Sequence, residues 1–205
     1  MTNARVLGER LMPGEGLLWD ATRIAAANLL LALCAHVAIP IPGNPVPFTL
    51  QTFGVLLVAV LLGSRRAAIV TSLYLLEGAM GLPVFQPFGL PGAARLLGPT
   101  AGYLWAYPPA ALVTGWFAER LNWKDRSWVN VGPLALAVLA GHAIILTGGW
   151  AWLAAIPQVA AAGSIPAAGW ARAFAIGVLP FLLDAIIKTA LVVTVARGMD
   201  RVRPD

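Results

Sequence analysis

Residues 48–82 read FTLQTFGVLLVAVLLGSRRAAIVTSLYLLEGAMGL. Two apolar runs flank the tetrapeptide Gly63-Ser64-Arg65-Arg66, and the only other charge in the stretch is Glu77. A helix crossing the hydrocarbon core of a bilayer needs about 20 mostly apolar residues. Bases gathered between apolar runs mark the cytoplasmic side of a membrane protein. The stretch therefore predicts a helical hairpin, at about residues 48–63 and 66–82, with its turn facing the cytoplasm. Working outward, the chain supplies further apolar segments at about 18–39, 100–118, 131–156 and 173–196. The whole of residues 1–205 reads as one transmembrane domain of six helices, all-α, with no room for a separate soluble part.

Composition agrees. Of 205 residues, 59% are hydrophobic and 11% charged, and the mean hydropathy is +0.78. A soluble domain is about 25% charged, and this chain has too little polar surface to cover a sphere in water. A net charge of +5 and a pI near 10.1 could suggest nucleic acid. Here, though, the bases sit in short runs between apolar segments, which is a topology signal. With the N-terminus inside, the inner side collects Arg5, Arg10, Arg23, Arg65, Arg66, Arg120, Lys124, Arg126, Arg197, Arg201 and Arg203, 11 of the 14 bases. The expectation is an N-in, C-in multi-pass protein of a bacterial-type cell membrane. Cys34 stands alone, so no internal disulfide forms. The N-terminal stretch lacks the apolar core of a signal peptide.

Topology leaves Glu77, Arg95, Arg172, Asp184 and Lys188 unexplained. Arg172 reads as an interfacial anchor. A charge at membrane depth is costly and is kept facing a cavity or a partner. Asp184 and Lys188 are four apart and share a helical face; together they form either a packing ion pair or a platform for a ligand with both donors and acceptors. Glu77 reads equally as an interfacial residue or a pocket wall. Arg95 lies in an outer segment rich in Gly and Pro yet apolar and aromatic, beginning Gly81-Leu82-Pro83-Val84-Phe85-Gln86-Pro87-Phe88-Gly89. Irregular backbone near the membrane must line a cavity or protein, so this segment predicts a lid, with Arg95 offering a fork to an anionic group. The first outer connection, Ile39-Pro40-Ile41-Pro42-Gly43-Asn44-Pro45-Val46-Pro47-Phe48, is uncharged and stiffened by its prolines, a second cover. Gln51, just beyond it, can read an amide-like group.

His36 and His142 are single, with no acid or Cys at ligand spacing, and read as packed or interfacial. No metal-binding, ATPase or nucleophile motif occurs, so neither a resident cofactor nor an enzymatic activity is expected. Trp19, Trp105, Trp123, Trp128 and Trp170 sit near predicted span ends as interfacial anchors. Ala21 and Ala25 form a small-x-x-x-small surface suited to internal packing or to docking a separate membrane subunit.

The runs Val46-Pro47-Phe48-Thr49-Leu50-Gln51-Thr52, Leu75-Leu76-Glu77-Gly78-Ala79-Met80-Gly81-Leu82-Pro83-Val84-Phe85 and Gly98-Pro99-Thr100-Ala101-Gly102-Tyr103-Leu104 resemble the BioY family, the biotin-binding S components of energy-coupling factor transporters. The resemblance covers most of the chain, and its Gly-Leu-Pro-Val-Phe and Gly-Pro-Thr-x-Gly-Tyr blocks are quite specific. It implies capture of biotin from outside beneath the outer loops, followed by release inside with a transmembrane T subunit and two cytoplasmic ATPases that use ATP. On that reading Arg95 takes the biotin carboxylate and Asp184 accepts the ureido N–H groups. Lys188 and Gln51 donate to the ureido oxygen, and Phe85 and Tyr103 pack the apolar part; the carboxylate and ureido partners could be exchanged. One departure stands out: in the family's helix-six pattern the Asp precedes the Lys by three, whereas Asp184 sits one place earlier. Other readings are an S component for a different vitamin, a stand-alone secondary transporter, an intramembrane enzyme (Ser72 and Ser164 lack a suitable base), or an assembly subunit without a ligand.

Overall fold

The computed structural model describes residues 16–121, 130–156 and 166–202. Arg5, Arg10, Lys124, Arg126, Arg203, Trp123, Trp128 and Ser164 lie outside the described residues, as does the side chain of Arg201. In chain order the elements are α1 (Leu17–His36), β1 (Ala38–Ile39), β2 (Phe48–Thr49), α2 (Gln51–Ala79), a 3-10 turn (Gly92–Leu97), α3 (Ala101–Trp105), α4 (Tyr107–Ala118), α5 (Val131–Ala155), α6 (Pro166–Gly177) and α7 (Leu179–Val202). Among the described residues, four stretches are helical, long and apolar enough to cross a membrane: Leu17–His36, Gln51–Ala79, Val131–Ala155 and Gly169–Met199.

Element α2 is not one rod. Gly63 adopts φ 78, ψ 180 inside it, a left-handed backbone that a Cβ would strain. The consequence is read at its ends. Gln51 Nε2 donates to the Tyr74 hydroxyl at 2.6 Å, whereas 23 residues of straight helix would part them by about 35 Å. The chain thus folds back at Gly63 as an antiparallel hairpin. The expected four-residue turn shrinks to one glycine, because Ser64, Arg65 and Arg66 are already helical. Glu119 at the foot of α4 secures the turn: its Oε1 accepts from the Ser64 N–H at 2.7 Å and the Ser64 hydroxyl at 2.9 Å. A Cβ on Gly115 would lie 2.4 Å from the Ser64 nitrogen and 2.5 Å from the Gly63 carbonyl carbon. Backbone cannot yield as a side chain can, so Gly115→Ala is expected to lose about 1–3 kcal/mol by overpacking. Thermal unfolding in detergent checks this, with a lowered midpoint expected.

Two other boundaries move for reasons of proline chemistry. α1 stops at His36, short of residue 39, since the residues before Pro40 and Pro42 prefer extended backbone. Ala38 and Ile39 instead pair with Thr49 and Phe48 in a two-stranded ladder, a small addition to the all-α expectation. The last helical segment begins at Pro166, not 173, and breaks at Val178. Pro180 has no N–H to offer Ile176, and the Phe181 N–H turns to Val178 O at 2.9 Å. The two carbonyls left over are used by other elements: Ile176 O accepts from Asn44 Nδ2 at 2.8 Å, and Gly177 O from the Tyr103 hydroxyl at 2.7 Å. The helix break thereby ties the first loop and α3 to the last segment.

Packing inverts the soluble pattern. Every residue from 54 through 63 is buried, so the first arm of the hairpin is enclosed all round. On α7 the outward stripe of Leu182, Leu183, Ile186, Ile187 and Leu191 is exposed. Such an apolar exterior suits a lipid environment. At the bundle end that holds the Gly63 turn, Asp20 bridges Arg23 at 2.9 Å and Arg66 at 3.0 Å. The two proline-rich loops, residues 37–50 and 80–100, gather at the other end.

Candidate functional site

Beneath the loops lies a cavity whose wall includes Gln51, Thr52, Tyr103, Phe181, Asp184 and Lys188. The break at Val178 places Asp184 and Lys188 on the inward face of α7. Lys188 Nζ donates to Asp184 Oδ2 at 2.6 Å, to Thr52 Oγ1 at 3.1 Å and to the Thr49 carbonyl. All three ammonium protons have acceptors, so this lysine is a clamp between α7 and the start of α2. Asp184 is the more open partner, 24% exposed against 6%. A carboxylate carries about four acceptor positions, of which Lys188 occupies one. The pair therefore presents acceptors to the cavity and no spare Lys188 donor. The four-residue spacing brings the two together without distortion.

The Gln51 amide is held by a relay. The Tyr74 hydroxyl donates to Val84 O at 2.9 Å and must therefore accept from Gln51 Nε2, which fixes the amide orientation. The relay also pins the second loop to α2. Phe85 serves the same purpose. It sits against Gly78, where a Cβ would fall 2.1 Å from its ring, and edge-on to Tyr74 at 5.3 Å. It lines neither chamber and fastens the lid to α2. Two indoles complete the fastening: Trp105 Nε1 donates to Leu96 O at 3.1 Å and Trp152 Nε1 to Gly98 O at 2.9 Å.

Arg95 occupies a second, outer chamber between the two loops, with Asn44, Phe88, Gly89 and Pro99. Pro47, Gln86 and Thr100 line both chambers, so the two adjoin. Arg95 is 6% exposed, and its Nη2 donates to Gln86 O at 2.9 Å. Burial lowers its pKa from the ordinary arginine value, yet guanidinium is basic enough to keep its charge. Among the described residues no carboxylate pairs with it. Glu77 does not join this site; it accepts from Asn28 Nδ2 at 3.1 Å, on the α1 side of the hairpin. Ala21 and Ala25 are exposed on one face of α1.

The family model for BioY matches residues 9–205. The chain belongs to the BioY family. Two BioY relatives match along most of their length. A probable biotin transporter BioY of Pyrococcus horikoshii is 32% identical over 88% of this chain and 95% of that one. Biotin transporter BioY2 of Lactococcus lactis is 35% identical over 85% and 86%. The crystal structure of the S-component for biotin from an ECF-type ABC transporter superposes with a TM-score of 0.74 at 26% identity, covering 91% of this chain and 93% of its own. The BioY fold is thus that of a multi-pass membrane transport protein and not of an enzyme.

Several lining residues escaped the sequence reading. Phe181 packs against Phe48 at 5.1 Å and Tyr103 at 6.4 Å, and the proline kink beside it was the available signal. Tyr107 lines the cavity with no motif of its own, and Thr100 and Gln86, which sit inside the quoted Gly-Pro-Thr block and lid segment, line it without having been named as site residues. His142 also lines it, whereas His36 is exposed and bonded to Ala32 O at 2.8 Å.

Proposed function

We propose that this chain is the membrane subunit that captures biotin from outside and passes it inward. The observation that carries the reading is Arg95, a buried guanidinium without a carboxylate partner among the described residues, one chamber from the Asp184–Lys188 pair. Biotin has a matching layout: a carboxylate, an apolar chain and thiophane ring, then a ureido ring with two N–H donors and one carbonyl. The carboxylate meets Arg95 in the outer chamber. Tyr103 and Phe181 hold the apolar middle, and Asp184 accepts a ureido N–H. Gln51 donates to the ureido oxygen, since Lys188 is spent on Thr49, Thr52 and Asp184.

The chain crosses the membrane six times with both termini inside, the hairpin turn at Gly63 and its arginines facing the cytoplasm. A single domain of residues 1–205 does this without a cofactor of its own. A transmembrane T subunit docks on the Ala21 and Ala25 face, and cytoplasmic ATPase subunits spend ATP to drive release. Ala21→Leu with Ala25→Leu is expected to abolish co-purification with the T subunit while biotin affinity stays unchanged; a retained complex contradicts the docking face. For the ligand, mass spectrometry of the detergent-extracted chain is the test. Biotin is the expected passenger, and another vitamin in its place overturns the reading.

A further inference from the structure

His142 is 4% exposed, lies midway along the uncharged α5, and lines the inner cavity. The mechanism above leaves it without a task. Its hydrogen-bond surroundings fix its tautomer. Nδ1 lies 3.2 Å from Val138 O and 3.4 Å from Thr189 Oγ1. Val138 O can only accept. The Thr189 hydroxyl already donates to Ala185 O at 2.7 Å, so it too offers Nδ1 only a lone pair. Nδ1 must carry the proton, and in neutral imidazole Nε2 is then a bare acceptor. Nε2 is buried and has no partner among the described residues. Nδ1 is turned toward the backbone of its own helix, so Nε2 lies on the opposite edge of the ring.

Neither of its two polar neighbours on α7 has a donor to spare for it. Lys188 gives its protons to Thr49, Thr52 and Asp184, and Thr189 gives its own to Ala185. A buried acceptor without a donor costs free energy and marks a place where a ligand donor belongs. We infer that His142 Nε2 accepts one ureido N–H of the bound vitamin while Asp184 accepts the other, so that His142 is a specificity-determining residue for a ligand with two N–H donors. This rests on the biotin reading. Two acceptors, a carboxylate oxygen on α7 and an imidazole nitrogen on α5, then bracket the ureido ring from facing helices. An analogue that loses one N–H leaves one of them unpaired, and such a site rejects it strongly.

The experiment is equilibrium binding to the full chain of biotin and of two cyclic carbamates, each replacing one ureido N–H by oxygen. Wild type, His142→Phe and Asp184→Asn are compared. The wild type is expected to bind each carbamate at least tenfold more weakly than biotin. In His142→Phe, biotin weakens at least tenfold, and one of the carbamates loses nothing further against it; in Asp184→Asn the other carbamate behaves so. Equal discrimination against both carbamates in wild type and His142→Phe overturns the inference while the biotin reading stands. No biotin binding by the wild type overturns both. Should His142→Phe fail to fold, nitrogen-15 NMR of histidine-labelled wild type decides: biotin must shift the unprotonated Nε2 resonance of His142, and an unmoved resonance overturns the proposal.

Discussion

Asp184→Asn is expected to weaken biotin binding by about 100-fold, and Lys188→Met to cost mainly stability. The two residues form one ion pair, at 2.6 Å, yet they have different tasks. Asp184 is the open member and offers acceptors to the ligand. Hydrogen bonds to a charged group contribute about 1.5–3 kcal/mol, or roughly 10- to 150-fold in affinity. The amide also presents a donor where the ureido N–H needs an acceptor. Lys188 holds Thr49, Thr52 and Asp184 together. Its removal leaves a carboxylate unpaired at membrane depth, and breaking a buried pair from one side costs about 3–5 kcal/mol. The double variant Asp184→Asn with Lys188→Met removes both charges. It is expected to regain much of the lost thermal stability and none of the binding. Thermal unfolding and biotin titration of the three variants check this. Equal affinity in wild type and Asp184→Asn contradicts the assignment.

Arg95→Gln is expected to weaken biotin binding by about 30-fold or more, while the affinity for biotin amide stays at its wild-type value. Arg95 is desolvated, and its Nη2 bond to Gln86 O does not neutralise it. An incoming carboxylate meets a charge that is already largely shielded from solvent in the free protein. Truncating one partner of a buried hydrogen-bonded charge pair costs about 2–5 kcal/mol. The amide carries no charge for the guanidinium to meet, so the wild type discriminates against it and the variant does not. The comparison isolates the carboxylate contact from any effect on the lid. An equal loss for biotin and its amide contradicts it.

The bundle was legible because its signals are additive over many residues: apolar length, basic runs and proline positions. The hairpin followed from residues 48–82, and the pairing of Asp184 with Lys188 from helical periodicity. The single-glycine turn was not legible, since Ser64-Arg65-Arg66 looks like a loop in composition and only the Glu119 cap and the Gly115 notch make it helical. Phe85 shows why lining residues are hard to name. An aromatic in an apolar lid has equal reason to face a ligand or to plug a groove, and the Gly78 notch that decides it lies on another element. Lys188 illustrates the same limit: its acceptors are a carbonyl and a hydroxyl 139 and 136 residues away. His142 did leave a trace. An ionisable residue in the middle of an uncharged 25-residue helix is a pointer to function, but without the neighbours that metal or catalytic chemistry needs it reads as packed.

Competitive titration of the purified chain with labelled biotin tests the central claim most directly, with unlabelled biotin, riboflavin, thiamine and niacin as competitors. The account predicts saturable binding of one biotin per chain, displaced by unlabelled biotin and by none of the other three. Displacement by another vitamin, or no saturable biotin binding by a folded chain, contradicts it.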